Sequence, residues 1–403
     1  MPQPRSLHRR HFIVGAAGAA GVLAAGDEGP FGATAFAQQS ARPDQPLPDY
    51  VKWKNEEAMI VHSKNTLETK RDFFGTSGIM PGDELFVRNN LPAPNEEIVA
   101  DRDAWEVSVE GVQKPRNLTV GQLKNIGIET VAAVLQCSGN GRDFFAHKAS
   151  GTQWRVGAAG NLFWSGVPIA AVVEHLGGLV QGRRYMTGTG GETLPKGIDP
   201  KTVIVERSVP IAAMEHALLA WEMNGKPVPL AHGGPLRLVI PGYYGVNNVK
   251  YVKRLAFTEQ ESDANIQRTG YRVRPVGVKG APDQPSMWEM NVKSWVTHPL
   301  KQTEDGPVLI YGVAFGGINT VKSVDVSTDG GKTWKQARFL GADFGRFAWR
   351  SFVFAADLAP GSYTIASRAN DTQGRTQPET FEPNERGYGH NGWRDHAVSV
   401  TVT

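Results

Sequence analysis

The sequence predicts two domains, an α+β domain followed by an antiparallel β-sandwich. Three observations support this fold class. The chain has 403 residues, and one domain commonly takes roughly 100–200 residues. From residue 65 to 278, short apolar runs are mixed with amphipathic stretches. After Gly280-Ala281-Pro282 only short alternating runs separated by turns remain. We therefore place the two domains at residues 65–282 and 283–403.

The first domain contains strand patterns and helix patterns. Trp105–Val109 alternates like a half-buried strand, and Val131–Leu135 is a continuous apolar run typical of a buried strand. Pro168–Leu176 and Ile211–Met223 have helical spacing, and each is followed by a glycine-containing stop signal. Val249–Phe257 returns to strand spacing. This mixture predicts an α+β domain with many loops.

The second domain contains strand patterns alone. Ser323–Ser327 and Trp334–Phe339 both alternate, and Asp329-Gly330-Gly331 between them is a turn signal, so we expect a hairpin. Regularly spaced short strands of this kind are typical of a β-sandwich. Further strands are expected at Arg350–Phe354, Ser362–Ala369 and His396–Thr403.

Residues 1–37 have the features of a twin-arginine signal peptide. Arg9-Arg10 precede the Gly/Ala-rich run Val14–Ala25, and Ala35-Phe36-Ala37 is a small-x-small cleavage pattern. We therefore expect export to a bacterial periplasm in the folded state, after a prosthetic group has been inserted. Residues 38–64, which begin with a polar and Pro-rich stretch, are expected to form an N-terminal arm.

Charge and hydropathy exclude two classes of partner. The formal net charge is +3 and the chain has no Lys/Arg run, so we expect no nucleic-acid binding. After the leader, no apolar run reaches the roughly 18 residues that a transmembrane helix needs, so we expect no membrane span.

Cys137 is the only cysteine of the chain. In an oxidising compartment a lone thiol is expected to be buried and inert, or bound to something. The residue lies where a buried strand opens into a small-residue loop, and the nearby Arg142 would favour the thiolate. A nucleophilic role would need a partner such as His147 or His175, and neither lies in a recognisable motif. The scattered histidines offer no zinc-ligand spacing, so a buried thiol and a different metal ligand both stay open.

Several ordered segments resemble the sulfite oxidase family of molybdenum cofactor enzymes. Leu135–Arg142 is similar to the family's Q-C-A-G-N-x-R motif, whose cysteine ligates molybdenum. The resemblance covers roughly residues 65–403, and the chain departs from it at Asn90, where the family has histidine, and at Gly141, where it has arginine. The other matching segments are Phe86–Pro94, Trp154–Gly166, Glu222–Pro229, His232–Arg237, Pro241-Gly242, Val249–Tyr251, Gln267–Tyr271 and Val326–Trp334.

This resemblance implies a sulfite-oxidase-type molybdopterin-binding domain followed by an immunoglobulin-like dimerisation domain. The implied cofactor is molybdenum with a pyranopterin, and Cys137 supplies a thiolate ligand to the metal. An acidic contact to the cofactor is expected at Glu192 or Asp199. No haem is expected in this chain, since it has no Cys-x-x-Cys-His and we see no room for a haem domain before residue 65. The implied cofactor-binding residues are Phe86, Arg88, Asn89, Asn90, Cys137, His232, Arg237 and Lys250.

The same resemblance implies that sulfite is oxidised to sulfate by oxygen-atom transfer at molybdenum. Arginines suit a sulfite pocket because their planar fork matches an oxyanion. Trp154 is expected to form a wall of the pocket and to offer its indole N–H. The implied catalytic residues are Cys137, Tyr271 and Arg88. The implied substrate-binding residues are Arg88, Arg142, Trp154, Tyr271 and Arg386.

The expected electron acceptor is a separate c-type cytochrome that takes one electron at a time, and a homodimer is expected from the family. One alternative is the sulfane dehydrogenase subunit of a thiosulfate-oxidising complex. Another is a molybdenum-dependent sulfoxide reductase, which the C-terminal sandwich disfavours. A cofactor-free adhesion protein is disfavoured by the leader and by the motif around Cys137.

Overall fold

β-Strands are the predominant regular structure of the described residues. The computed structural model describes residues 45–403, so the expected signal peptide at residues 1–37 lies outside the described residues. Residues 45–64 of the expected N-terminal arm are part of the folded structure. Strand β1 (Met59–Ser63) pairs antiparallel with β2 (Thr66–Thr69). Val51, Ala58 and Met59 are buried in a small apolar cluster beneath these strands.

One further strand before residue 260 joins β1 and β2 in a small sheet, and the others build two larger sheets. These strands are β3 (Val87–Arg88), β4 (Glu106–Glu110), β5 (Arg116–Thr119), β6 (Glu129–Gln136), β7 (Ala159–Pro168), β8 (Tyr185–Gly190), β9 (Glu206–Pro210), β10 (Leu218–Met223), β11 (Lys226–Pro227), β12 (Arg237–Val239) and β13 (Val252–Thr258). One sheet has the order β11-β10-β7-β6 with β12 also on β10, the other β5-β4-β13-β8-β9, and β3 pairs with β2. Neighbouring strands are antiparallel except β4 and β13, which are parallel.

Helices are short in the described residues. The α-helices are α1 (Val120–Lys124), α2 (Ile169–His175), α3 (Pro200–Val203) and α4 (Trp393–His396). The 3-10 turns are Asp49–Val51, Glu56–Ala58, Arg71–Phe74, Glu96–Val99, Arg142–Phe144, Ile211–His216, Leu230–His232 and Gly245–Asn247, and a π-helical turn covers Ile266–Gly270. The helix predicted at Pro168–Leu176 is therefore confirmed as α2. No helix of residues 45–403 is long and apolar enough to cross a membrane.

The helix predicted at Ile211–Met223 is wrong. The segment is a 3-10 turn at Ile211–His216 followed by strand β10. A continuous apolar run such as Leu218–Trp221 suits a buried central strand as well as a helix, so periodicity cannot separate the two. Pairing of β10 with β7 on one edge and with β11 and β12 on the other selects the strand.

The C-terminal region forms two packed sheets, as predicted. Its strands are β14 (Lys293–His298), β15 (Gln302–Thr303), β16 (Gly306–Phe315), β17 (Val321–Ser327), β18 (Lys335–Gln336), β19 (Arg338–Leu340), β20 (Arg350–Leu358), β21 (Gly361–Asp371) and β22 (Val398–Val402). The sheet orders are β14-β16-β20-β19 and β15-β22-β21-β17-β18. Pairing is antiparallel except between β15 and β22. The predicted fold class, an α+β domain followed by an antiparallel sandwich, is confirmed.

The predicted hairpin is present but short. β17 pairs with β18 across the turn at residues 329–331. The single strand predicted at Trp334–Phe339 is wrong, because the chain leaves this sheet at Ala337 and β19 then pairs with β20 in the other sheet. Both sheets thus share this stretch of chain.

The main apolar core crosses from the first region into the sandwich. Trp295 on β14 and Trp349 are fully buried, and their rings lie 5.3 and 5.8 Å from that of Phe74. Arg71 donates hydrogen bonds of 2.7 Å to the carbonyls of Val296 and His396. The C-terminal region is therefore joined to the first by a packed seam, which brings its loops beside the end of β6.

Candidate active site

Cys137 directly follows strand β6 and is half-buried. Its backbone N–H donates to the carbonyl of Ala158 (2.9 Å). The buried carboxamide of Asn140 fixes the loop from inside, because it donates to Gln136 (3.0 Å) and accepts from the Ala158 N–H (3.1 Å). Paired polar groups of this kind hold a buried loop in one conformation. Cys137 lies in the walls of two neighbouring cavities.

The larger cavity has a volume of about 660 Å³ including its mouth. It lies between the end of β6, the loop after β3 and the segment from β12 to residue 250. Its lining residues are Phe86, Arg88, Asn89, Asn90, Leu135, Cys137, Ser138, Glu192, Val205, His232, Arg237, Gly245, Val246, Asn248, Val249, Lys250 and Tyr271. All eight residues predicted to contact a cofactor are therefore brought together here.

Basic groups dominate the electrostatics of the larger cavity. Burial and the neighbouring Arg237 hold the pKa of Lys250 well below its usual value. Burial lowers the pKa of Arg237 to about 10. Burial, with the nearby Lys54 and Lys250, holds the pKa of His232 well below its usual value, so this imidazole is neutral at pH 7. Clustered basic groups in a shielded place favour an anionic ligand such as a phosphate.

Several buried polar atoms around the larger cavity have no hydrogen-bond partner among the described residues. Buried polar atoms in folded proteins are nearly always paired, so an unpaired set facing one cavity indicates a polar ligand. The atoms are Nε2 of His232, Nε of Arg237, Oε2 of Glu192, Oδ1 of Asn90 and Oγ of Ser138. This mixture of donors and acceptors, with the cations, fits a large anionic group that also carries polar ring atoms.

Glu192 is the acidic residue of the cavity. It lines the wall, and its Oε2 is buried although part of the residue is exposed. Burial raises the pKa of this carboxyl to about 7. Asp199 instead caps α3 by accepting from the Lys201 N–H (3.0 Å) and lies at the surface. Of the two acidic positions left open by the sequence, only Glu192 therefore faces the cavity.

The smaller cavity shares Arg88, Cys137 and Tyr271 with the larger one and has a volume of about 470 Å³ including its open mouth. Arg142 is buried there, and it donates to the carbonyls of Arg386 (2.9 Å) and Thr152 (2.8 Å). Three arginines and a thiol around one small space suit a compact oxyanion. The lining residues are Arg88, Cys137, Gly139, Arg142, Ser150, Gly151, Thr152, Gly270, Tyr271, Arg386 and Tyr388.

Two tyrosines and two arginines form a continuous stack beside the smaller cavity. The rings of Tyr271 and Tyr388 are 5.0 Å apart and nearly parallel, at 7°. The guanidinium of Arg207 lies 5.6 Å from the Tyr271 ring and that of Arg142 lies 5.5 Å from the Tyr388 ring. Burial, together with Tyr388, raises the pKa of Tyr271 to about 12. Tyr271 is therefore a protonated hydrogen-bond donor at neutral pH.

The C-terminal region supplies one wall of the smaller cavity through residues 384–391. The Gly389 N–H donates to the carbonyl of Ser138 (2.8 Å). The buried Lys293 donates to the carbonyls of Asn140 (3.1 Å) and His390 (2.8 Å). These bonds tie the cysteine loop to the segment that carries Arg386 and Tyr388.

Trp154, which is predicted to form a wall of the substrate pocket, lies away from the residues that line the two cavities. This tryptophan is fully buried and lines neither cavity. Its ring packs edge-on against His62 and Phe86, and its Nε1 has no hydrogen-bond partner among the described residues. Thr152, two residues earlier in the chain, lines the smaller cavity instead.

Sequence reasoning missed two members of the stack. Tyr388 follows the predicted Arg386 by two residues, and this closeness in the sequence was the one signal available for it. Arg207 lies in β9 without any motif, and only the fold brings it to Tyr271.

The described residues contain no group of three or more His, Cys, Asp and Glu side chains that could hold a metal ion. A metal at Cys137 would therefore bring most of its ligands with it, as a metal bound to an organic cofactor does. Cavity size, unpaired polar atoms and cations all fit such a cofactor in the larger space.

Comparisons with known proteins agree with this geometry. Residues 92–266 match the model of the oxidoreductase molybdopterin binding domain, and residues 284–402 match that of the Mo-co oxidoreductase dimerisation domain. The chain is 33% identical to human mitochondrial sulfite oxidase over 349 residues, which cover 81% of this chain and 62% of the relative. It is 30% identical to Gallus gallus sulfite oxidase, covering 78% of this chain and 72% of the relative. The crystal structure of the sulfane dehydrogenase SoxCD from Paracoccus pantotrophus is similar with a TM-score of 0.70 at 25% identity, covering 84% of this chain and 86% of that chain.

Proposed function

Because the chain belongs to the sulfite oxidase family of molybdenum cofactor enzymes, we propose that it is a sulfite dehydrogenase. The overall reaction converts sulfite and water to sulfate, two protons and two electrons. The observation that carries the proposal is the convergence of Arg88, Arg142 and Arg386 beside Cys137. Three guanidinium groups suit a small dianion, because each offers paired N–H donors in one plane.

The larger cavity would hold the molybdenum cofactor. Cys137 would supply a thiolate ligand, and Lys250, Arg237 and His232 would hold the cofactor's phosphate and polar ring atoms. Glu192 would accept hydrogen bonds from the ring. When bound, this group supplies two-electron redox chemistry and a transferable oxygen atom.

The residues of the smaller cavity would bind and orient sulfite. The guanidinium of Arg142 is held by two backbone carbonyls. It would therefore lose little conformational entropy when the oxyanion binds. Tyr271 keeps its proton at neutral pH and would donate a hydrogen bond to a sulfite oxygen. The stacked rings of Tyr271 and Tyr388 shield this side of the cavity from bulk water, which strengthens each charged contact.

The electrons are proposed to leave one at a time to a separate c-type cytochrome. Covalent attachment of c-type haem uses a Cys-x-x-Cys-His segment, and this sequence contains one cysteine. The twin-arginine pattern at residues 9–10 supports a periplasmic location, where such cytochromes occur. The match to the dimerisation domain supports a homodimer.

A second candidate function is sulfane dehydrogenase. The observation that favours it is the structural similarity to SoxCD over most of both chains. In this chain either function would use the arginine-lined smaller cavity, and the two differ in the group attached to the sulfur atom that is oxidised.

The test is sulfite-dependent reduction of a purified c-type cytochrome by protein isolated from the periplasmic fraction, with molybdenum quantified in the same sample. Thiosulfate and methionine sulfoxide serve as competing substrates, and protein from cells grown with tungstate instead of molybdate serves as the control. We expect sulfite turnover that depends on molybdenum. Stoichiometric molybdenum without sulfite turnover would contradict the proposal, and recovery of the protein only in the cytoplasm would contradict the location.

A further inference from the structure

Tyr388 forms a partition between two spaces. It lines the smaller cavity beside Cys137, and it also lines a separate open groove of about 970 Å³. The lining of the groove combines apolar residues, among them Met287, Trp288 and Phe381, with the charged residues Glu289 and Arg375. The larger cavity is lined by Tyr271 and not by Tyr388. A substrate with an organic tail would thus have to pass Tyr388 to place that tail in the groove.

The Tyr388 ring is held firmly in this position. One face stacks on Tyr271, the Arg142 guanidinium lies over the ring, and the residue is 3% exposed. The Asn384 side chain accepts from its N–H (2.9 Å) and donates to its carbonyl (2.8 Å).

The backbone on both sides of Tyr388 also restricts the position of this residue. It lies between Gly387 at φ 58° and Gly389 at φ 74°, conformations that residues with a Cβ rarely adopt. A Cβ on Gly387 would also lie 2.8 Å from Cγ of Arg142. The partition is therefore a fixed part of the wall and not a freely rotating side chain.

We propose that Tyr388 is a specificity-determining residue that restricts the site to compact sulfur oxyanions. It would exclude sulfonate or sulfane sulfur attached to a thiol, because the attached chain meets the ring before the charged end reaches the arginines. This inference rests on the proposed function and deepens it, since it favours free sulfite over a carrier-bound sulfur chain. Selectivity of this kind comes from a clash with the wrong ligand and not from extra contacts to the right one.

The test is calorimetric binding to the holoenzyme with two unreactive probes, sulfate and S-sulfocysteine. S-sulfocysteine carries a terminal sulfonate of similar shape and a cysteine tail. In the unaltered protein we expect sulfate to bind at least roughly tenfold more tightly than S-sulfocysteine. Tyr388→Ala should strengthen S-sulfocysteine binding relative to sulfate binding by about tenfold, since loss of the ring weakens the shielding of both probes but removes the clash for S-sulfocysteine alone.

Two further variants complete the experiment. Tyr388→Phe keeps the ring and should keep the discrimination of the unaltered protein. Tyr388→Leu removes the ring with a smaller loss of volume, and it should relax the discrimination even where the alanine variant does not fold. Equal discrimination in the leucine or alanine variant and the unaltered protein overturns the inference. Failure of sulfate to bind the unaltered protein overturns the proposed function itself, so the two failures are distinguishable.

Discussion

A methyl group at residue 139 would collide with Arg142. An added Cβ on Gly139 would lie 2.4 Å from Nη2 and 2.6 Å from Cζ of this arginine. Arg142 cannot move aside freely, because it is tied to the carbonyls of Thr152 and Arg386. Gly139 therefore preserves the space that the guanidinium occupies in the smaller cavity.

Gly139→Ala is expected to raise the KM for sulfite by roughly tenfold, the size of effect that one lost charge-assisted contact produces. Molybdenum content should stay unchanged, since the substitution does not touch the larger cavity. Steady-state kinetics with metal analysis measures both. Gly127→Ala is the matched control, because an added Cβ there meets nothing within 4 Å. An unchanged KM in Gly139→Ala would show that Arg142 does not bind the substrate.

Glu192 gives a pH-dependent prediction for protein produced without cofactor. Burial raises its carboxyl pKa from 4.5 to about 7, so the folded state holds a proton that the unfolded state releases between these values. The free energy of unfolding contributed by this group therefore falls as pH rises through this window and stays low above it. Glu192→Gln should remove that fall and add up to roughly 3 kcal/mol at pH 8, at 1.36 kcal/mol per pKa unit.

Urea unfolding at pH 5 and pH 8 measures this effect. Asp199→Asn is the matched control, because asparagine also caps a helix and the position faces away from the cavity. Equal pH dependence in Glu192→Gln and the unaltered protein would contradict a buried carboxyl at this position.

Among the elements, strand β14 carries Lys293, which joins the cysteine loop to residues 384–391 beside the smaller cavity. We call its two hydrogen bonds the clamp. Lys293 is fully buried, and burial lowers its pKa to about 7. A neutral amine still has two N–H donors, so it can serve both the Asn140 and His390 carbonyls in either protonation state. The clamp therefore does not depend on the charge.

Lys293→Met should loosen residues 384–391 against the cysteine loop and raise the KM for sulfite several-fold, because each buried carbonyl left without a donor costs about 1–3 kcal/mol. Molybdenum content should not change. Lys335→Met, an exposed substitution on β18, is the control. A lower molybdenum content with an unchanged KM would contradict the clamp and indicate a role at the cofactor instead.

Elements whose apolar residues follow either the strand period or the helix period were predictable. Elements whose apolar pattern fits both were not. Alternating β17 and the helix α2 were found because their apolar positions match a single template. β10 was mistaken for a helix, because its neighbours in the sheet, and not its own pattern, determine its conformation. The same limit applies to the site. Motifs located Cys137, but only the fold shows that Trp154 is buried away from the residues that line the two cavities.

At the scale of the whole molecule, the packed seam joins the first region to the sandwich. The apolar core contains Phe74 from the first region and Trp295 and Trp349 from the second. The Val134 N–H also donates to the carbonyl of Phe347 (3.0 Å). Neither region can lose its structure without exposing part of the other's core.

We therefore expect a single cooperative transition in differential scanning calorimetry. Val324 lies in the separate apolar core of the sandwich, and Val324→Ala would leave a cavity there. This substitution should lower the temperature of the whole transition. Domains that merely touch usually unfold in separate steps. Two resolved transitions, of which only one responds to Val324→Ala, would contradict the shared core.

We propose that Cys137 ligates a molybdenum centre in the larger cavity. X-ray absorption at the molybdenum edge, on the unaltered protein and on Cys137→Ser, tests it most directly, with Gly127→Ala as the control. The account predicts that the serine variant loses one sulfur ligand from molybdenum and loses sulfite turnover with it, since an oxygen ligand matches this soft site poorly. An unchanged sulfur coordination in Cys137→Ser, or full turnover without the thiol, would contradict the account.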